Sequence, residues 1–269
     1  MRQDRLTVLN KRIDYLWIDN ASDNSSRIST DQVIVFLHEG LGSIAMWKKF
    51  PSLLIKLTNS NAFVYSRHGH GASEKLDIPR NKDYLRNEAI EILPKILDFF
   101  GIKKPILVGH SDGASIALIY ASKYSHNLAG LIAIAPHVFV EELTLSGIRL
   151  ACAQFQNTRF REKLSAYHAD ADDLFLQWSN IWLSPEFREW NIVESLSQIS
   201  TPLLIIQGED DQYGSLRQLT AIENSVPFSV EKKIIPSCGH SPHLECPDQT
   251  LEVIKKFIDN SCAPVRSKD

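Results

Sequence analysis

The sequence predicts an α/β fold: a mostly parallel sheet flanked by helices, with a helical segment inserted into it. Three observations carry that reading. Short apolar runs of strand type alternate with stretches of helical periodicity between residues 33 and 135. One of those runs, Pro105-Ile-Leu-Val108, passes through Gly109-His-Ser-Asp-Gly113 directly into a second apolar run of helical type. From about His137 to Ser200 the alternation stops and the pattern is helical throughout.

The elements follow in order. Residues 7–18 hold two short strand-like runs, the clearer being Ile13-Asp-Tyr-Leu-Trp-Ile18. Residues 19–31 are polar and turn-rich, and read as a loop. Val33–Leu37 is an unbroken β-branched and aromatic run, suited to a strand buried on both faces. A helix is expected over Trp47–Leu57 and a strand over Ala62–Ser66. Asp83–Phe100 reads as a helix with Leu85, Ala89, Ile92, Ile96 and Phe99 on one face, kinked or broken at Pro94. Leu131–Ala135 is the next strand, stopping at Pro136. Within the inserted segment, helices are expected near 141–166, 171–183 and 186–197. Strand type returns at Pro202–Ile206 and near Lys233–Ile235. A closing helix spans about 247–259, its apolar face being Leu251, Ile254, Phe257 and Ile258, and 261–269 reads as a frayed tail. The domain reading is a core of 1–136 with 201–269, and a helical cap of 137–200.

Bulk properties narrow the function. A chain of 269 residues, 43% hydrophobic and 23% charged, can bury a large core as one soluble domain with an insertion. The net charge of -3 and the lack of basic runs argue against a nucleic-acid partner. The N-terminal residues lack the apolar stretch of a secretory signal, and the longest apolar run, Leu131–Val140, is broken by Pro136 and His137. A cytoplasmic protein with no membrane contact is therefore expected, as a monomer or homodimer acting on a small-molecule substrate. The four cysteines show no CxxC spacing and read as reduced thiols. Histidines 38, 68, 70, 137, 240 and 243 lack metal-ligand spacing, so neither a metal nor another cofactor is expected.

Strand, tight turn and helix are the context that makes Gly109-His-Ser-Asp-Gly113 a nucleophile elbow with Ser111 at its tip. A serine nucleophile needs a base, and the base needs an orienting acid. The strand ending at Ile206 runs into Gly208-Glu-Asp210-Asp211, and the one ending at Ile235 runs into Cys238-Gly-His240-Ser-Pro-His243. Three strand ends thus supply Ser, then Asp, then His.

In these motifs the chain resembles the α/β-hydrolase fold superfamily, from about residue 10 to 260. The resemblance implies Asp211 as the acid, with Asp210 the alternative, and His240 as the base, with His243 the alternative. His38-Glu39-Gly40-Leu41-Gly42 resembles the family's His-Gly-x-x-Gly loop, which implies the backbone N–H groups of Gly40 and Asp112 as oxyanion donors. Losing one such donor costs roughly 3–4 kcal/mol of barrier stabilisation. Arg67-His-Gly-His70-Gly-Ala-Ser73 resembles the family's Arg-Gly-x-Gly-x-Ser loop, with His70 expected at the pocket rim. Two departures stand out: Glu39 replaces a usual glycine, and Asp112 follows the nucleophile. The Asp112 side chain is expected to cap the following helix, or else to contact substrate, as Glu39 could. Trp178 and Trp182 are candidates either to line the pocket or to pack in the core.

The resemblance implies a serine hydrolase of a small carboxylic ester, thioester or lactone. The inserted segment carries nine acidic against five basic residues, which disfavours coenzyme A esters. C–C hydrolysis of ring-fission products is the enzymatic alternative, and a ligand receptor on the same fold is the non-enzymatic one. A proline iminopeptidase is less expected, because its Gly-Gly-Ser-Trp-Gly elbow is absent.

Overall fold

The computed structural model describes residues 1–20, 33–157 and 159–262. Most of the expected 19–31 loop and most of the C-terminal tail lie outside them.

Strands β1 (Arg2–Val8) and β2 (Lys11–Ile18) form an antiparallel hairpin. Its two-residue turn, Leu9-Asn10, has both φ angles positive, as a tight hairpin turn requires. β1 therefore begins earlier than the apolar pattern suggested, because its outer residues are exposed. β3 (Val33–Leu37) follows, then α1 (Phe50–Thr58), β4 (Asn61–Tyr65), α2 (Tyr84–Asn87) and α3 (Leu93–Phe99). Between α2 and α3 a π turn, Glu88–Ile92, absorbs the break expected at Pro94. Phe99 is 67% exposed, contrary to expectation; the π turn shifts the helical phase, and Leu93 and Leu97 are buried instead.

β5 (Ile106–His110) leads into α4 (Asp112–Tyr124), and β6 (Gly130–Ile134) follows. Then come α5 (Glu142–Asn157), α6 (Phe160–Ser165) and α7 (Ala171–Leu183). The expected 141–166 helix is thus two helices. The expected 186–197 helix does not form; only a 3-10 turn, Val193–Gln198, is present there. The chain returns through β7 (Leu203–Gly208), α8 (Arg217–Ser225), β8 (Glu231–Ile235), the short α9 (Pro242–Glu245) and α10 (Pro247–Phe257).

The eight strands lie in the order β1-β2-β4-β3-β5-β6-β7-β8. β2 pairs antiparallel with β4, and every pair from β4–β3 to β7–β8 is parallel. Every residue of β3, β5 and β6 is buried. Alternate residues serve opposite layers, as the two-residue period of a strand dictates. Ile34, Phe36, Ile106 and Val108 pack with Leu54 of α1 and Ile254 of α10. Val33, Val35 and Leu107 pack with Ala114, Leu118 and Ile96 on the other face. The carboxyl ends of the parallel strands share one edge, where the candidate residues gather.

Candidate active site

Ser111 stands between the last residue of β5 and the first of α4, with φ 53° and ψ -116°. That conformation is costly for any residue but glycine. The flanks explain how it is held. A Cβ on Gly109 would come 2.3 Å from the Gly113 carbonyl oxygen, and one on Gly113 would come 1.9 Å from that of Leu37. Only hydrogen fits at either place, so β5, α4 and β3 close tightly around the turn. The Ser111 N–H donates to Ile134 O of β6 at 2.9 Å.

The His240 Nε2 lies 2.9 Å from Ser111 Oγ, and its Nδ1 lies 2.8 and 2.9 Å from the two Asp211 oxygens. Those distances fit Nδ1–H donating to the carboxylate and Nε2 accepting from the hydroxyl. Asp211 Oδ1 also accepts the N–H groups of Tyr213, at 2.8 Å, and Gly214, at 3.1 Å. Oδ2 accepts from Gln207 Nε2 at 3.2 Å. Asp210 is exposed, so of the two aspartates only Asp211 meets the imidazole. The Asp210 N–H donates to Cys238 O at 2.9 Å, tying the Asp211 loop to the His240 loop. His243 is buried between Trp47 and His110, at ring distances of 4.7 and 4.6 Å, away from Ser111.

Charges shape the protonation states. Burial pulls the His240 pKa down, but the Asp211 charge and hydrogen bond outweigh it and leave it above 6.5. Burial pushes the Asp211 carboxyl up, and the His240 pairing outweighs that, leaving it below the usual value. Burial raises the Glu39 carboxyl, with Asp112 adding to the effect.

Among the described residues, no acceptor is paired with the N–H of Gly40 or of Asp112, and both residues line the cavity that holds Ser111. Among the described residues, no N–H of its own helix donates to the Asp112 carboxylate. Its Oδ2 instead accepts from Tyr84 Oη at 2.9 Å and lies 3.6 Å from Arg67 Nη2, deeply buried. Arg67 is the hub: Nη2 donates to Glu39 O at 2.8 Å and to His38 O at 3.4 Å. Glu39 folds back, accepting the Leu41 N–H at 3.2 Å.

A cavity of about 170 Å³ opens beside Ser111, lined by Glu39, His137, Trp178, Trp182, Tyr213 and His240 among others. Both tryptophans thus border the cavity. His70 does not; it is 1% exposed and lies behind the Gly40 loop, with Nε2 3.1 Å from Gly40 O. His137 and Tyr213 were not singled out as site residues from the sequence. Their rings lie 5.8 and 4.9 Å from that of His240. The available signals were position alone: His137 follows the end of β6, and Tyr213 stands two residues after the acid.

A model of the alpha/beta hydrolase family matches residues 34–253. The chain belongs to that family. The proline iminopeptidase of Saccharolobus solfataricus is 24% identical over 239 residues, 74% of this chain and 76% of the relative. The 2-hydroxy-6-oxononadienedioate/2-hydroxy-6-oxononatrienedioate hydrolase of Comamonas testosteroni is 24% identical over 190 residues, 61% of this chain and 66% of the relative. A solved thermophilic esterase from Thermogutta terrifontis superposes with TM-score 0.72 at 18% identity, covering 98% of this chain and 100% of that one. As an alpha/beta hydrolase, the chain has the fold predicted from its motifs. Among the described residues no helix is long and apolar enough to cross a membrane.

Proposed function

We propose that this alpha/beta hydrolase cleaves small carboxylic esters, with thioesters and lactones as near neighbours, through an acyl-enzyme on Ser111. The observation that carries the reading is the unbroken hydrogen-bonded line from Ser111 Oγ through His240 to Asp211. His240 takes the serine proton as Oγ attacks the carbonyl carbon. Asp211 fixes the ring so that Nε2, not Nδ1, faces the hydroxyl, and stabilises the imidazolium that forms. The Gly40 and Asp112 N–H groups receive the oxyanion. His240 then protonates the leaving alcohol, and later activates the water that frees the acid. Residues 137–200 act as a lid that walls the cavity with Trp178 and Trp182.

The cavity selects by charge. Among the described residues its lining includes Glu39 and no lysine or arginine, while the Asp112 carboxylate there is paired with Arg67. An anionic acyl group would meet the Glu39 carboxylate, so neutral or cationic acyl groups are favoured. The same feature counts against dicarboxylate ring-fission products, the substrate class in the Comamonas relative's name. Fluorophosphonate labelling of wild type and Ser111→Ala, with neutral and anionic ester panels, tests the proposal. Labelling and turnover of neutral esters are expected in wild type, and neither in the variant. Labelling that survives the substitution places the nucleophile elsewhere. Labelling without turnover of any ester overturns the hydrolase reading in favour of a ligand receptor.

A further inference from the structure

A second cavity, of about 110 Å³, lies on the far side of the Gly40 loop. Arg67, His68, Arg80 and Tyr84 line it, with Leu174 and Gln177 of α7. The Tyr84–Asp112 hydrogen bond stands between it and the Ser111 cavity. One helix thus serves both: α7 turns Trp178 and Trp182 to the Ser111 cavity and Leu174 and Gln177 to this one.

Its polar lining is unfinished. Nine buried side-chain polar atoms among the described residues have no hydrogen-bond partner, and two of them are N–H donors of residues on this wall, Arg67 Nε and Arg80 Nη1. Arg67 is 3% exposed. A buried N–H without an acceptor costs about 1–3 kcal/mol, and more when charged. Arg67 already shares its charge with Asp112. Arg80 has no carboxylate in direct contact among the described residues; its Nη2 donates to His70 Nε2 at 3.0 Å, and its guanidinium lies 5.6 Å from the Tyr84 ring centroid. A guanidinium fork with free N–H groups fits a carboxylate or another oxyanion.

We propose that this cavity is a binding site for a small monocarboxylate with an apolar tail, held by the Arg80 guanidinium. The charge on the wall admits an anion: Asp173 is paired with Lys75 at 3.4 Å and Glu88 accepts from Tyr65 Oη at 2.7 Å, which leaves Arg80 as the cation without a carboxylate partner among the described residues. The apolar part of the lining selects the class. Leu76, Ile78 and Leu174 give an apolar body somewhere to pack. The site is independent of the reaction assigned to Ser111.

Crystals soaked in 4-bromobenzoate give a direct answer through the anomalous signal of bromine. The expected peak lies beside Ile78 and Leu174, with the carboxylate on Arg80. Calorimetry of the same acid against wild type, Arg80→Gln and Arg80→Lys is the solution arm. Binding is expected to weaken by about tenfold or more in Arg80→Gln, with partial recovery in Arg80→Lys. A peak only beside Ser111, or no peak with equal affinities in all three proteins, overturns the site. Arg80-dependent binding of inorganic phosphate in place of the acid overturns the ligand class.

Discussion

The Asp211 carboxylate is held by two backbone N–H groups and by Gln207 as well as by His240. Its position does not depend on the imidazole, so it can impose an orientation on that ring. The pH dependence follows. To act as the proposed base, His240 must be neutral at Nε2, and its pKa lies above 6.5. The acid limb of kcat/KM for ester hydrolysis is therefore expected to have its midpoint above 6.5. In Asp211→Asn the burial penalty is opposed only by the lesser effects of the Glu39 and Glu245 charges, so the midpoint should move to lower pH while kcat drops roughly 10⁴-fold. A pH–rate profile of both proteins checks this; an unmoved limb would detach Asp211 from His240. Ser111, Asp211 and His240 were legible because each closes a strand. The choice between Asp210 and Asp211 was not, since turn register decides which carboxylate points inward. His70 was misplaced for a related reason: Gly69 and Gly71 both have positive φ, at 77° and 58°, and side-chain direction in such a loop has no period to read.

Helix α7 was legible to the residue, and α5 with α6 nearly so, because their apolar stripes keep step with the helical turn. Residues 186–197 failed because their backbone pairs across rather than along the chain. Val140 N–H donates to Trp190 O and Ile192 N–H to Val138 O, and Phe139 bridges Asn191. Phe187 and Trp190 then stack, at 5.3 Å between ring centroids, and that spacing imitates a helix face. Helix α8 escaped notice because it buries only Gln218, Leu219 and Ile222. The π turn before α3 yields a contrast between two apolar residues. Leu93→Ala should cost roughly 2–5 kcal/mol, and Phe99→Ala less than about 1 kcal/mol. Urea denaturation of the two variants measures this, and equal losses would contradict the shifted phase. Gly113→Ala should destabilise by about 3 kcal/mol in the same assay, because the added methyl meets the β3 carbonyl.

Across the whole molecule, buried histidines set the response to acid. Burial holds His38, His70 and His110 well below 6.5, puts His137 and His168 at about 4, and His243 at about 3. In the unfolded chain these rings titrate near 6.5, so below that pH the unfolded state binds protons that the folded state refuses. Stability then falls as pH drops, by up to about 1.4 kcal/mol per pH unit for each ring. His240 has the opposite sign: its raised pKa contributes stability below 6.5 that is lost as pH rises through the folded value. One ring does not offset six. The urea midpoint should decline from pH 6.5 downward and vanish near pH 4, with only the His240 contribution falling away on the alkaline side. A midpoint that stays level down to the carboxylate range would show that the rings titrate freely. The three-layer architecture was legible because strands buried on both faces cannot hide their composition. Arg67 was quoted only as part of its loop, since a cation's partners are other segments' carbonyls. That arrangement has an engineering corollary. One guanidinium clasps the turn after β3 and the first turn of α4 while itself belonging to the turn after β4. Grafting a foreign loop into any one of these three places will succeed only if the graft still offers the clasp its share, so the trio must be transplanted as a set.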